Sequence, residues 1–231
     1  MTRWITTIIV ALLAGFAGSA LWSLTGWGGD NTREYLMANP EVLPEAIDEL
    51  QRREMAKSVA PMRPELETPF PGAVLGNPAG SVTLVEFSDY ACGYCRQSVA
   101  DVKALIEANP DLKVVIREYP ILTAESADAA RMALAAAQQG KFEAFHDAMY
   151  AAGQVTAETI EQSAQAAGLD MAKARAAISS GMFEGQLQAN VSMAQRLGFR
   201  GTPAWVVGDK VFDGAVGRGP LSDAIEDARE T

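Results

Sequence analysis

Val82-Thr83-Leu84-Val85-Glu86-Phe87-Ser88-Asp89-Tyr90-Ala91-Cys92-Gly93-Tyr94-Cys95 joins two different patterns without a break. Val82 to Phe87 is β-branched and largely apolar, as a strand covered on both faces should be. Arg96 to Ala108 has helical spacing through Val99, Val102, Leu105 and Ile106, so the two cysteines fall where a buried strand hands over to a helix. A helix start leaves backbone N–H groups unpaired and carries the positive end of the dipole, which favours a thiolate over a thiol. Cys92 is therefore the expected nucleophile, with its pKa lowered from about 8.5 into the range of roughly 3.5 to 7.5. Cys95, one turn further on, resolves or re-forms the bridge, and Gly93 and Tyr94 between them face whatever approaches.

Working outward, Lys113 to Tyr119 is a second strand candidate, and Ser126 to about Leu197 is Ala-rich and helical with breaks near Gly140, Gly153, Gly168 and Gly181. Strands return at Ala204 to Val207 and Val211 to Asp213 around the turn Gly208-Asp209-Lys210, and Leu221 to Arg229 closes with a helix. The order is strand-helix-strand-strand-helix with a helical block inserted, an α/β class.

The chain has 2 cysteines and 1 histidine, too few for a disulfide framework, a four-ligand zinc site or a Cys/His hydrolase. With 19 basic and 29 acidic side chains, net −10, it lacks the concentrated basic face that nucleic acid needs. A CxxC alone is equally a small structural disulfide or half of a metal site. The strand before it and the helix after it favour redox exchange, in which a mixed disulfide forms and the direction depends on which state the protein stabilises.

Upstream, Trp4 to Trp27 contains no charged side chain and is long enough to cross a bilayer, with Trp4, Trp22 and Trp27 near its ends. It reads as an uncleaved anchor; the competing reading is a signal peptide cut near Gly18-Ser19-Ala20, and both export the body. Asp30 to Ala60 has helical periodicity, Leu36, Leu43, Ile47 and Leu50 sharing a face: a short helix, a break, then a second helix to about Lys57 with Asn39 as its cap and Pro40 in its first turn, a start that Pro44 could shift. Such a stripe either lies back on its own domain or forms a self-association stalk. Pro61, Pro64, Pro69 and Pro71 read as a stiff linker. The expected domains are 1–29, anchor or signal; 30–71, helical stalk and linker; and 72–231, the redox domain with its helical insertion at about 124–197.

Three stretches carry a resemblance: Leu75-Gly76-Asn77-Pro78, Val82 to Tyr90 leading into Cys92-Gly93-Tyr94-Cys95, and Gly201-Thr202-Pro203. From about Val74 to Ala228 the chain resembles the DsbA-like thioredoxin family of exported dithiol oxidases and isomerases. The resemblance implies a thioredoxin-like fold with an inserted helical domain, preceded by the N-terminal membrane segment and the short helical region. It implies that Pro203 is cis and faces the cysteines, with Thr202 contacting substrate backbone; otherwise Thr202-Pro203 is an ordinary trans turn before a strand. It also implies that Glu86 is a buried acid relaying a proton for Cys95, although strand alternation could turn Glu86 to solvent. No cofactor beyond the Cys92–Cys95 dithiol and no metal is implied. The partners would be cysteine-containing exported proteins and a membrane redox partner that resets the dithiol in the periplasm.

Two departures bear on direction. The best-known oxidases of that family carry His inside the CxxC and Val before the cis proline, where this chain has Gly93-Tyr94 and Thr202. His146, beside Phe145, reads as a packing or surface residue rather than a catalytic base. Tyr35 to Ala46 resembles the N-terminal region of the ScsC/Com1-like branch, some members of which oligomerise through it. The expected activity is oxidase first, isomerase or reductase second, with a Cu(I)-holding module as the non-enzymatic alternative.

Overall fold

The computed structural model describes residues 30–230 together with 4, 10–13, 15 and 16. The segment read as an anchor or signal therefore lies largely outside the described residues, and among those described no helix is long and apolar enough to cross a membrane. The chain divides into two units, Met1–Gln51 and Arg52–Thr231.

In the first unit, α1 spans Asp30–Ala38 and ends where both the backbone N–H and the side-chain amide of Asn39 donate to Tyr35 O. Pro40 lies in the turn, and α2 (Val42–Val59) starts two residues later than a first-turn proline at 40 would place it. Pro44 is the third residue of α2, where a missing N–H costs no helical hydrogen bond. Leu43, Ile47 and Leu50 are exposed.

The second unit contains the last residues of α2 and a five-stranded sheet of order β1-β3-β2-β4-β5. Its strands are β1 (Val74–Gly76), β2 (Val82–Ser88), β3 (Leu112–Glu118), β4 (Ala204–Val207) and β5 (Lys210–Asp213). β2 and β3 are parallel, and the other pairs are antiparallel. Three residues are too few to show a period, which is why β1 is silent as a strand in the sequence. The surrounding motif is a turn: Gly76 has φ +72°, a Cβ there would stand 2.7 Å from Leu112 O, and the Asn77 side chain donates to Pro110 O at 2.9 Å.

The proline-rich segment is not a linker. Ala60–Met62 forms a 3₁₀ turn and α3 spans Arg63–Glu67, with Pro61 and Pro64 in their first turns, where proline is accommodated. Val59, Met62 and Leu66 pack with Val85, Phe87, Val115, Val206 and Phe199 on one face of the sheet. Against the other face, Leu84, Val114, Ile116 and Trp205 meet α4 (Gly93–Ala108) and α10 (Arg218–Arg229) through Val102, Leu105, Leu221 and Ile225.

Between β3 and β4 lie α5 (Ala124–Gln138), α6 (Phe142–Ala152), α7 (Ala157–Ala166), α8 (Met171–Ser179) and α9 (Glu184–Arg196). Gly140, Gly153, Gly168 and Gly181 all have positive φ in the connections that follow α5 to α8, where a left-handed residue ends a helix. Thr123 and Thr156 close capping boxes on α5 and α7.

Candidate functional site

β2 is buried along its whole length, and its alternation separates two sets of side chains. Val85 and Phe87 belong to the cluster with α3, while Leu84, Glu86 and Ser88 point to the side where α4 begins. Beyond Ser88 the chain turns on Asp89, whose carbonyl accepts from Cys92 N at 3.0 Å and whose carboxylate accepts from the amides of Ala91, Ile121 and Leu122 at 2.8, 2.8 and 3.0 Å. One side chain thus clamps the turn before the cysteines to the loop after β3. A small acid beside a CxxC is the only mark it leaves in the sequence.

Cys92 is the N-cap of α4, its sulfur accepting from Cys95 N at 3.4 Å. Its Sγ also lies 3.2 Å from Thr202 O, and the Thr202-Pro203 peptide is cis. Both cysteines are free thiols. Hydrogen bonding from Cys95 holds the Cys92 pKa down at about 5, against the opposing effect of burial and with help from Thr202 and the amides of Tyr94 and Cys95. Burial, the Cys92 partner and the charge of Glu86 push Cys95 strongly the other way. Thr202 Oγ1 is buried and has no hydrogen-bond partner among the described residues. As a thiol, Cys92 donates to the Thr202 carbonyl; as a thiolate it can only accept, and the Thr202 hydroxyl is the donor at hand. Gly93 and Tyr94 are exposed beside the sulfur, with Tyr94 63% accessible.

Glu86 is 3% accessible and so faces the interior rather than solvent. Burial raises its pKa to about 8, against the hydrogen bond donated by Ser88 Oγ at 3.0 Å and with the help of the Cys92 charge. Tyr150 OH lies 2.7 Å from Ser88 Oγ and donates to Asp89 O at 3.3 Å. His146 is buried with its ring against Tyr90, Phe142 and Tyr150, and burial lowers its pKa to about 4, so the imidazole is neutral at physiological pH. Glu118, Tyr90, Ser88 and Tyr150 join this interior cluster and are absent from the residues picked out of the sequence; a carboxylate at the end of the apolar run Val114-Val115-Ile116 was the available signal. Among the described residues, no group of three or more His, Cys, Asp or Glu is placed to hold a metal ion.

The five-stranded sheet, the CxxC at the helix tip and the cis proline against it define a thioredoxin-like thiol-disulfide exchange protein. Residues 70–227 match the family model described as Thioredoxin, and residues 32–57 match the Copper resistance protein ScsC N-terminal domain; the chain belongs to the thioredoxin family, in its DsbA/ScsC-like group. It is similar to a thioredoxin-like oxidoreductase from Silicibacter pomeroyi DSS-3, at 43% identity and TM-score 0.66 over 68% of this chain and 92% of that one. The thiol-disulfide exchange protein alpha-DsbA2 from Wolbachia pipientis is similar at 26% identity and TM-score 0.70, over 77% and 97%. A periplasmic thioredoxin-like protein from Salmonella enterica serovar Typhimurium is similar at 26% and 0.63, over 74% and 97%. The chain spans 24% of the length of the curated relatives it matches, such as Na(+)/H(+) antiporter NhaA 3 of Salinispora tropica, 28% identical over 158 residues.

Proposed function

We propose that the chain is an exported protein thiol-disulfide oxidoreductase working as an oxidase, and that the Cys92 sulfur at the tip of α4, held at a pKa of about 5, carries that reading. In the oxidised protein a client thiolate attacks Cys92 Sγ, a client–Cys92 bond forms, and Cys95 leaves. Because Cys95 is driven far towards the thiol, its departure needs a proton, and Glu86, with a pKa of about 8, supplies it. A second client thiolate then attacks the client sulfur of the mixed disulfide, releasing Cys92 as a stabilised thiolate. The client has lost two electrons and the Cys92–Cys95 pair has gained them. Thr202 and Pro203 line the place where client backbone lies, with Gly93 and Tyr94 opposite; no cofactor beyond the dithiol takes part. A membrane redox partner reoxidises the pair in the periplasm, where residues 4–27 tether the chain.

Stabilising the leaving thiolate makes the disulfide oxidising, since about 30 mV corresponds to 1.4 kcal/mol for this couple. Equilibration in a glutathione series should give a potential above roughly −200 mV; a value near −300 mV, typical of structural bridges, would overturn the oxidase direction. Glu86→Gln keeps the shape and the Ser88 contact but carries no transferable proton. It should slow oxidation of a reduced client roughly 100-fold below pH 8, where Glu86 holds its proton, with the difference shrinking above pH 8, measured by stopped flow.

The exposed stripe Leu43, Ile47 and Leu50 supports self-association through residues 30–60, which would bring several Cys92 sites to one client. Ile47→Glu should lower the mass measured by light scattering without altering exchange at a single site; an unchanged monomeric mass for the unmodified chain would dismiss the stalk.

A further inference from the structure

Besides Asp89, whose carboxylate is taken up by three backbone amides, two buried acids lie behind the cysteines. Glu118, at the end of β3, is 1% accessible, and its pKa is pushed well up by burial and by the charges of Asp89 and Glu86, against a hydrogen bond from Tyr90. Tyr90 OH donates to Glu118 Oε1 at 3.1 Å and lies 3.4 Å from His146 Nδ1. A tyrosine hydroxyl has one proton, so while it serves Glu118 the Nδ1 of His146 is the N–H donor to Tyr90 and Nε2 is bare. Glu86 and His146 line the same cavity, of about 20 Å³, with Lys103, Glu143 and Asp147 as its other polar walls. That is room for one water with polar partners on several sides.

We propose that Glu118 is a second proton store for the dithiol, connected to Glu86 through Tyr90, His146 and one water in that cavity. The proposal rests on the relay reading of Glu86. The path has two self-consistent settings. With the proton on Glu86, the carboxyl donates to water, water to His146 Nε2, Nδ1–H to Tyr90, and Tyr90 to the Glu118 carboxylate. With the proton on Glu118, every donor reverses, and the ring passes the proton by exchanging tautomers. Neutral His146 suits this exchange, because it never has to carry a net charge through the apolar cluster of Phe142, Phe145 and Tyr150. A proton held on Glu118 reaches Glu86 as the path returns to its first setting and passes on to Cys95, so that Cys95 gains the one proton Glu118 loses and no water enters where a client covers Cys92.

The groups facing Glu86 are Cys92 at the N-cap of α4; Cys95 and Lys103 on α4; Glu143, His146, Asp147 and Tyr150 on α6; Glu118 on β3; and Tyr90 in the turn after β2, where Asp89 faces Glu118. Lys103 and Asp147 pair with each other at 2.6 Å, Glu143 is exposed, and three backbone amides occupy the Asp89 carboxylate, which leaves Glu86 and Glu118 as the buried acids able to trade a proton.

Reduced-minus-oxidised infrared difference spectra of the full chain test this in the carboxyl C=O region. The unmodified protein should show two carboxyl features; Glu118→Gln should remove one of them, and Glu86→Gln should remove both, because Glu118 reaches the dithiol only through Glu86. His146→Leu, which keeps both acids but cuts the path, should lose the Glu118 feature and retain that of Glu86, the retained band also showing that the variant is folded. A spectrum unchanged by Glu118→Gln but abolished by Glu86→Gln would overturn the store and leave the relay standing. A spectrum indifferent to Glu86→Gln would overturn both.

Discussion

Cys92→Ser should reduce catalysed exchange, measured by insulin reduction or by refolding of a reduced client, to the uncatalysed background, because serine offers no sulfur for the mixed disulfide. The corresponding measurement on the native chain is alkylation of Cys92 against pH. Its rate should be half-maximal near pH 5 and flat by pH 7. An ordinary thiol with a pKa of about 8.5 would at pH 7 still run some 30-fold below its own plateau. The same shift fixes the sign of a stability effect. The folded pKa is depressed, so the contribution is complete above the unfolded thiol value, shrinks as pH falls below it, and is gone below the folded value of about 5. At pH 7 the lowered pKa stabilises the reduced fold by roughly 2 to 3 kcal/mol. The reduced protein should therefore unfold at higher denaturant than the oxidised one at pH 7, with the gap closing towards pH 5. A gap that widened on acidification would contradict a low-pKa thiolate at the helix tip.

What the sequence made legible follows from how local each signal is. Val82 to Phe87 and Ala204 to Val207 are read correctly because a doubly buried strand is continuous and β-branched, and the helical block is bounded by glycines whose positive φ is a local requirement. The position of Cys92 at a helix tip is equally local, since strand, cysteine and helix are contiguous. Asp89 clamping Ile121 and Leu122, Arg117 reaching the end of α3, and Tyr90 bridging Glu118 and His146 all span dozens of residues. No periodicity records such contacts. The proline-rich segment misled for a related reason: proline disfavours helix interiors but is at home in first turns, and only the apolar face of the sheet reveals that Val59, Met62 and Leu66 are needed to cover it.

Arg117 carries the largest structural prediction. It lies on β3 with its side chain on the face opposite Glu86, and it is 2% accessible. The guanidinium donates to Leu66 O at 2.9 Å, to Thr68 O at 2.6 Å, to Glu65 O, and to Asn190 Oδ1 at 3.3 Å. It thereby takes up carbonyls at the C-terminal end of α3, where partial negative charge gathers. Asn190 in turn donates to Glu118 O at 3.0 Å, so one cation ties α3, β3 and α9 together. Burial lowers its pKa only to about 10, so it stays charged at neutral pH. Arg117→Met gives back the cost of burying the cation but leaves several buried acceptors without a donor, at about 1 to 3 kcal/mol each. The net loss should be about 4 kcal/mol, a fall in Tm of roughly 8 to 16 °C for a domain of this size. Arg117→Lys should recover little of it, because one ammonium cannot reach carbonyls spread across a planar fork. Exchange at Cys92 should stay within about twofold of the unmodified chain at 25 °C, since the lost contacts lie on the other side of the sheet. A Tm change below about 2 °C would mean that water satisfies those carbonyls and that the sheet, not Arg117, holds α3 in place.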